Sequence, residues 1–316
     1  MTDPFQVCLS ETPASALLAQ ADTLAVVRFA PDHAAEADPR LVPVPLASPQ
    51  AQVLEHWRAN GPVTHGQSGD IHWAAGPDVL MGWMALPDPG GDMEALAESA
   101  YSRMLEWQRQ SDFPQLWRCW NIFSALTEGA GDAERYRTFT VGRYSAFSAA
   151  GLDAQDFPAA TVIGSACGPL FLMLLAGKTP SRKIENPRQV SAWAYPRDYG
   201  PRSPSFARAA HLPGSHGHGP LLVSGTASVL GHATAHHGDW QAQTEETVRN
   251  LAAVCAQVDA PLRPQALRVY IRDGVPVDGV LRTLRAAMGP DLPLLPVQGD
   301  ICREDLLVEV EGVWAP

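Results

Sequence analysis

Between Pro158 and Gly177 the chain reads PAATVIGSACGPLFLMLLAG, apolar enough either to cross a membrane or to lie inside a sheet. The two outcomes lead to different classes of protein, so this run constrains the fold more than any other segment. Gly164, Gly168 and Pro169 interrupt its middle, where a spanning helix needs an unbroken hydrogen-bond ladder. Two buried strands, AATVIG and LFLMLLA, joined by a Gly-Pro turn, satisfy the same residues. The chain is therefore read as a globular protein without a membrane span.

Composition supports a sheet-rich fold. Only 18% of the residues are charged, while 26 Gly and 28 Pro supply turns between short strands. A length of 316 residues exceeds one typical domain. A soft boundary near 155 divides it into an N-terminal α+β domain, 1–155, and a second domain, 156–316. The net charge of -11, with no Lys/Arg-rich stripe, argues against nucleic-acid binding. Five scattered cysteines without a C-x-x-C pair fit free thiols in a reducing compartment. The start, MTDPFQVCLSETPAS, lacks the features of a signal peptide, so a cytoplasmic location is expected.

Periodicity sets the elements. GDMEALAESAYSRMLEWQRQ and GDAERYRTFTVGRYSAFSAAG read as helices, and PQLWRCWNIFSAL between them as a strand. No internal repeat is evident. In the second half TVIG, LFLMLLA, QVSAWAY and LLVSGTASV read as strands. A helix follows from about Gln241 to Cys255, capped by Asp239, with Val248, Leu251, Ala252 and Cys255 as its apolar stripe. LRVYIRD is a strand, Val277–Met288 a helix, and LPLLPVQ and LLVEVEGVW close the chain as strands. This order describes an α/β (α+β) layer of sheet plus two helices.

The strings SGTASVLGH, GDWQAQTEETVRNLAAV, LRVYIRD and LLVEVEGVW resemble the RidA (YjgF-like) superfamily over roughly 221–314. The longer strings YPRDYGPRSPSFARA, ENPRQVSAW and DICREDLLVEVE, with SGTASVLGH, resemble the chorismatase family from about Arg118 to Trp314. That family includes the bifunctional hydroxybenzoate synthases of xanthomonad-type bacteria. The resemblance implies a RidA-like C-terminal half, with a related or degenerate N-terminal domain. It also implies a cofactor-free, metal-free enzyme that releases pyruvate from chorismate. The expected product is 3-hydroxybenzoate, with 4-hydroxybenzoate beside it, through an arene-oxide route. The alternatives are a hydrolase leaving a dihydroxycyclohexadiene carboxylate, or a RidA-like imine deaminase or non-catalytic binding protein. Leu294 stands where RidA-like deaminases carry an arginine, which disfavours imine hydrolysis. Oligomeric state stays open between monomer and trimer, as does a downstream role in pigment or quinone formation.

Cleavage of a vinyl ether starts with a proton delivered to its terminal carbon, which needs an acid still protonated near neutral pH. Glu309 in the apolar strand LLVEVE is the candidate, since burial raises a carboxyl pKa. Its place in V-E-V-E matches the cleft glutamate of RidA-like proteins. Glu311, two residues on, shares its strand face and is a second site member or an alternative acid. On the residues alone a solvated strand face is the favoured reading of both glutamates, and the family resemblance reverses it for Glu309. Cys302, seven residues before Glu309, matches the cysteine that the resemblance associates with hydroxybenzoate formation; a packing thiol is the alternative.

Two substrate carboxylates need arginine forks. Arg137 and Arg143, six apart, and Arg202 and Arg208, also six apart, are the candidates. Tyr195 and Tyr199 supply hydroxyl donors. Gly225, Thr226 and Ala227, following Ser224, form a small-residue strand end that admits a ligand or a bulge. The groups His211, His216, His218 and His232, His236, His237 lack a fixed geometry for metal and read as loop residues.

Overall fold

The computed structural model describes residues 3–31, 37–214 and 218–316. The chain begins with β1 (Phe5–Ser10), α1 (Ala14–Leu18), β2 (Thr23–Phe29), β3 (Leu41–Val44) and β4 (Leu54–Ala59). It continues through β5 (Thr64–Ser68), β6 (Ile71–Ala75), β7 (Val79–Leu86), α2 (Met93–Arg109) and β8 (Gln115–Ser124). Then come α3 (Arg135–Ala149), β9 (Ala159–Ser165), β10 (Leu170–Gly177), β11 (Arg182–Ile184) and β12 (Ala209–His211). Next are β13 (Leu221–Ala227), β14 (Val229–Leu230), β15 (Ala233–Thr234), α4 (Trp240–Cys255) and β16 (Arg263–Ile271). The chain ends with α5 (Val277–Met288), β17 (Leu294–Gln298), β18 (Asp300–Ile301) and β19 (Val308–Ala315).

Three sheets share one topology. Their orders contain β1-β4-β2-β3, β7-β10-β8-β9 and β13-β19-β16-β17. In each, the first two neighbouring pairs are antiparallel and the last is parallel. The second and third units each carry two helices on one face, α2 with α3 and α4 with α5; the first has only α1. The C-terminal half thus contains the expected sheet on two helices, and the middle unit repeats it. No repeat shows in the letters because strand pairing is carried by the backbone, which leaves side chains free to diverge. A division near 155 falls between α3 and β9, within the sheet of the middle unit.

The apolar run at 158–177 forms β9 and β10, both largely buried. They are not neighbours: β8 lies between them, parallel to β9 and antiparallel to β10. No helix among the described residues is long and apolar enough to cross a membrane. QVSAWAY is not a strand. It makes an irregular segment with a 3₁₀ turn at Ala192–Ala194, because prolines on both sides limit it and only Gln189 bridges, to Gly231. Asp239 caps α4 by accepting from Ala242 N at 3.0 Å. Of the expected stripe Leu251 is buried, Val248 and Cys255 pack half-buried against the same cluster, and Ala252 is exposed; the helix also buries Val254 with polar Gln243, Glu246 and Asn250.

The inner faces of all three sheets close on one core, which joins Phe5, Leu24 and Trp57 to Trp117, Trp120 and Met173 and to Leu222, Tyr270 and Val313. Separate apolar clusters lie under α2 and α3 and under α4 and α5. Within the central core sits a buried ion network. Arg268 on β16 donates to both oxygens of Glu55 on β4, at 2.5 and 2.7 Å, and to Glu311 on β19 at 3.1 Å. Arg118 on β8 donates to the other oxygen of Glu311. Each unit supplies at least one of these charges. Removing one partner strands the rest in low dielectric. Glu55→Ala is expected to destabilise the fold by about 3–5 kcal/mol, read as a lower urea midpoint; an unchanged midpoint would remove the network from the account of stability.

Candidate active site

A cavity of about 650 Å³ opens where the middle unit meets the C-terminal unit. Its floor is the seam between β9 and β13. Ser224 stitches that seam: its hydroxyl accepts from Ala160 N at 2.9 Å and donates to Ala207 O at 2.6 Å. Between Val223 and Thr226 the pairing of β13 with β19 slips by one residue, so Ser224–Gly225 is a bulge. The bulge turns Gly225 N–H to Thr161 Oγ1 at 2.9 Å. A Cβ on Gly225 would stand 1.9 Å from a Glu309 carboxyl oxygen, so glycine here makes room for that carboxyl.

Glu309 and Glu311 share one face of β19 but sit in opposite environments. Glu311 is buried away from the cavity and accepts from Arg118, Trp120, Thr161, Arg268 and Tyr270. Burial alone would raise its pKa, but Arg118, Arg268 and these hydrogen bonds outweigh that and hold it below the usual carboxylate range. Glu309 lines the cavity and receives no hydrogen bond among the described residues. Burial, then the charge of Glu311, push its pKa up to about 8, against the opposing pull of Arg118 and Arg208. Glu309 is therefore a carboxylic acid at neutral pH, beside a permanent carboxylate.

Cys302 also faces the cavity, and packs beside Ala227, Val229, Ile301 and Leu306. Burial, then nearby Glu309, push its pKa up to about 12, so it is a neutral thiol and part of an apolar wall. Arg137, Tyr195, Arg208, Gly225 and Ala227 line the same cavity. Arg208 donates to the Tyr195 hydroxyl at 2.8 Å and to Val190 O at 2.9 Å. Arg137 leans on Glu134 at 3.2 Å.

Four expected binding residues lie outside the cavity. Glu311 is sequestered in the central network. Arg143 is buried beneath α3, stacked over Tyr101 at 5.2 Å and Phe147 at 4.9 Å. Arg202 is exposed, over the Tyr144 ring at 4.6 Å. Thr226 points off the cavity, its hydroxyl donating to Ser224 O at 2.8 Å.

Tyr199, noted from the sequence, does line the cavity, and Thr161, Tyr136 and Arg303 join it. The Arg303 guanidinium lies 4.3 Å from the Tyr199 ring and 5.5 Å from Tyr195, and donates to Thr234 Oγ1 at 3.2 Å. Arg303 adjoins Cys302 in DICRED, a signal that was present in the sequence; Thr161, inside an apolar strand, gave none. Among the described residues no group of three His, Cys, Asp or Glu side chains could hold a metal ion. His216 lies outside the described residues.

The chain resembles known proteins along most of its length. Residues 55–176 match the family described as chorismatase FkbO/Hyg5-like, N-terminal. A 3-hydroxybenzoate synthase of Streptomyces hygroscopicus is 38% identical over 85% of this chain and 82% of its own. The chain belongs to the chorismatase family. A chorismatase of Streptomyces rapamycinicus is 35% identical over 89% of this chain and 88% of its own. A chorismatase crystal structure superposes with a TM-score of 0.89 at 31% identity, covering 100% of this chain and 99% of that one. The fold expected from the resemblance is thus the fold of a chorismatase.

The unequal pair of glutamates gives a direct expectation. In the ¹³C spectrum of glutamate-labelled protein, the Glu309 carboxyl should titrate with a midpoint near 8, holding its proton below that pH and losing it above. A midpoint in the ordinary carboxylate range would contradict the described environment.

Proposed function

We propose that this chain converts chorismate to 3-hydroxybenzoate and pyruvate, with 4-hydroxybenzoate as a second product, and that Glu309 is the general acid. The observation that carries this reading is an unpaired, buried carboxyl facing a cavity, its pKa raised to about 8. Glu309 gives its proton to the terminal methylene carbon of the enolpyruvyl ether, which becomes oxocarbenium-like. The ether oxygen leaves the ring as the ketone of pyruvate. The neighbouring ring hydroxyl oxygen bonds to the vacated carbon to give an arene oxide, its proton returning to Glu309. Its bond to the original carbon then breaks, and the ring proton on the newly bonded carbon passes to that oxygen as the ring becomes aromatic. No water enters the balance.

The walls suit such a substrate. Arg208, Arg303 and Arg137 present guanidinium groups toward the cavity of an otherwise acidic chain, which favours a dicarboxylate. Tyr195, bracketed by Arg208 at 5.6 Å and Arg303 at 5.5 Å, separates two such forks. The neutral Cys302 thiol and the apolar cluster beside it keep water from the oxocarbenium, which favours aromatisation over hydrolysis.

Glu309→Gln should lower kcat by about 10²–10⁴-fold while leaving chorismate binding within a few-fold, as read by stopped assays and calorimetry. Turnover near wild type would move the acid elsewhere. Since Glu309 must be protonated to act, kcat/KM should stay level at neutral pH and fall as pH rises through about 8. Cys302→Ala should shift products toward the hydrolysed diene; an unchanged product profile would leave Cys302 a packing residue only.

A further inference from the structure

Glu311 takes no part in the reaction proposed above and is not among the residues that line the cavity, yet it lies two residues beyond Glu309 on the same face of β19. We propose that Glu311 is a positioning residue whose fixed negative charge keeps Glu309 in its proton-bearing form, and that Arg118 sets the limit of that effect from the opposite side. The proposal rests on the reading of Glu309 as the acid for its effect on rate, but not for its effect on ionisation.

The geometry carries the argument. Alternate residues of a strand are about 7 Å apart along one face, close enough for charges to couple strongly where water is excluded. Five donors from β8, β9 and β16 hold the Glu311 carboxylate, and none reaches Glu309 among the described residues. The titratable and charged groups that face Glu309 are Glu311 on its own strand, Tyr270 opposite it on β16, Arg118 on β8, Arg208 beside β12, Cys302 before β19 and Tyr136 on α3. Burial keeps Cys302, Tyr136 and Tyr270 neutral in the working range. One anion and two cations therefore set the balance around Glu309, and the anion is fixed in place.

Thr161 links this balance to the cavity floor. Its hydroxyl donates to Glu311 and accepts from Arg118 at 2.7 Å and from Gly225 N at 2.9 Å. The distance from the fixed charge to the cavity is thus held by the same strand that forms the floor. Replacing Glu311 by an amide removes the anion and leaves Arg118 and Arg268 less compensated, and both changes favour ionised Glu309. Removing Arg118 does the reverse, because Glu311 keeps Trp120, Thr161, Arg268 and Tyr270 as donors.

The test is a ¹³C titration of glutamate-labelled protein, with the Glu309 resonance assigned from Glu309→Gln, in wild type, Glu311→Gln and Arg118→Met. The Glu309 midpoint should fall by about one pH unit or more in Glu311→Gln and rise above wild type in Arg118→Met. The alkaline limb of chorismate turnover should move with it. A wild-type midpoint in either folded variant overturns the proposal. Should Glu311→Gln fail to fold, the upward shift in Arg118→Met decides alone. Midpoints that move as stated in a protein that leaves chorismate untouched would uphold this proposal and sink the proposed function instead.

Discussion

Glu311 is shared by two arginines from different sheets, and that sharing ties the three units of the fold together at their common core. Arg118 comes from the middle unit, Arg268 from the C-terminal unit, and Arg268 also grips Glu55 of the first unit. A buried ion pair is a weak source of net stability, because desolvating the charges offsets most of the attraction. Its consequence here is geometric: no unit can shift without stranding a charge. The three repeated sheets are thereby held in one arrangement, and the seam between β9 and β13 is held open as a cavity.

The same network explains how two chemically identical side chains on one strand serve different ends. Strand periodicity places Glu309 and Glu311 on one face, and the bulge at Ser224–Gly225 decides which of them meets open space. Glu311 falls among fixed donors and ionises; Glu309 falls beside a glycine, a neutral thiol and the cavity, and keeps its proton. Environment assigns the roles.

Much of this was legible in the sequence. Alternating apolar residues located β8, β16 and β19, and the Asp239 cap located α4, because local pattern and local hydrogen bonding determine both. Small residues at 224–227 left a bulge or a close ligand approach open, and a bulge is what they form, while the family strings pointed to Glu309 and Cys302, which both line the cavity. The partners of Glu311 were not legible: Arg118 lies 193 residues away, and no spacing rule connects them. Equal spacing likewise failed for the arginines. Arg137 and Arg208 reach the cavity, whereas Arg143 turns under α3 onto aromatic rings and Arg202 turns out to solvent. Which layer a side chain enters depends on the packing of elements distant in sequence. The threefold repetition was hidden for a related reason, since it resides in strand order and direction.

The account as a whole turns on what happens to chorismate in this cavity. The most direct measurement is incubation of the purified protein with chorismate, without added metal or cofactor, with pyruvate and the aromatic products quantified by liquid chromatography and mass spectrometry. Hydroxybenzoate and pyruvate formed one for one, with the 3-isomer present, is the predicted result. Chorismate recovered unchanged, or pyruvate accompanied only by a non-aromatic diene, would contradict the account.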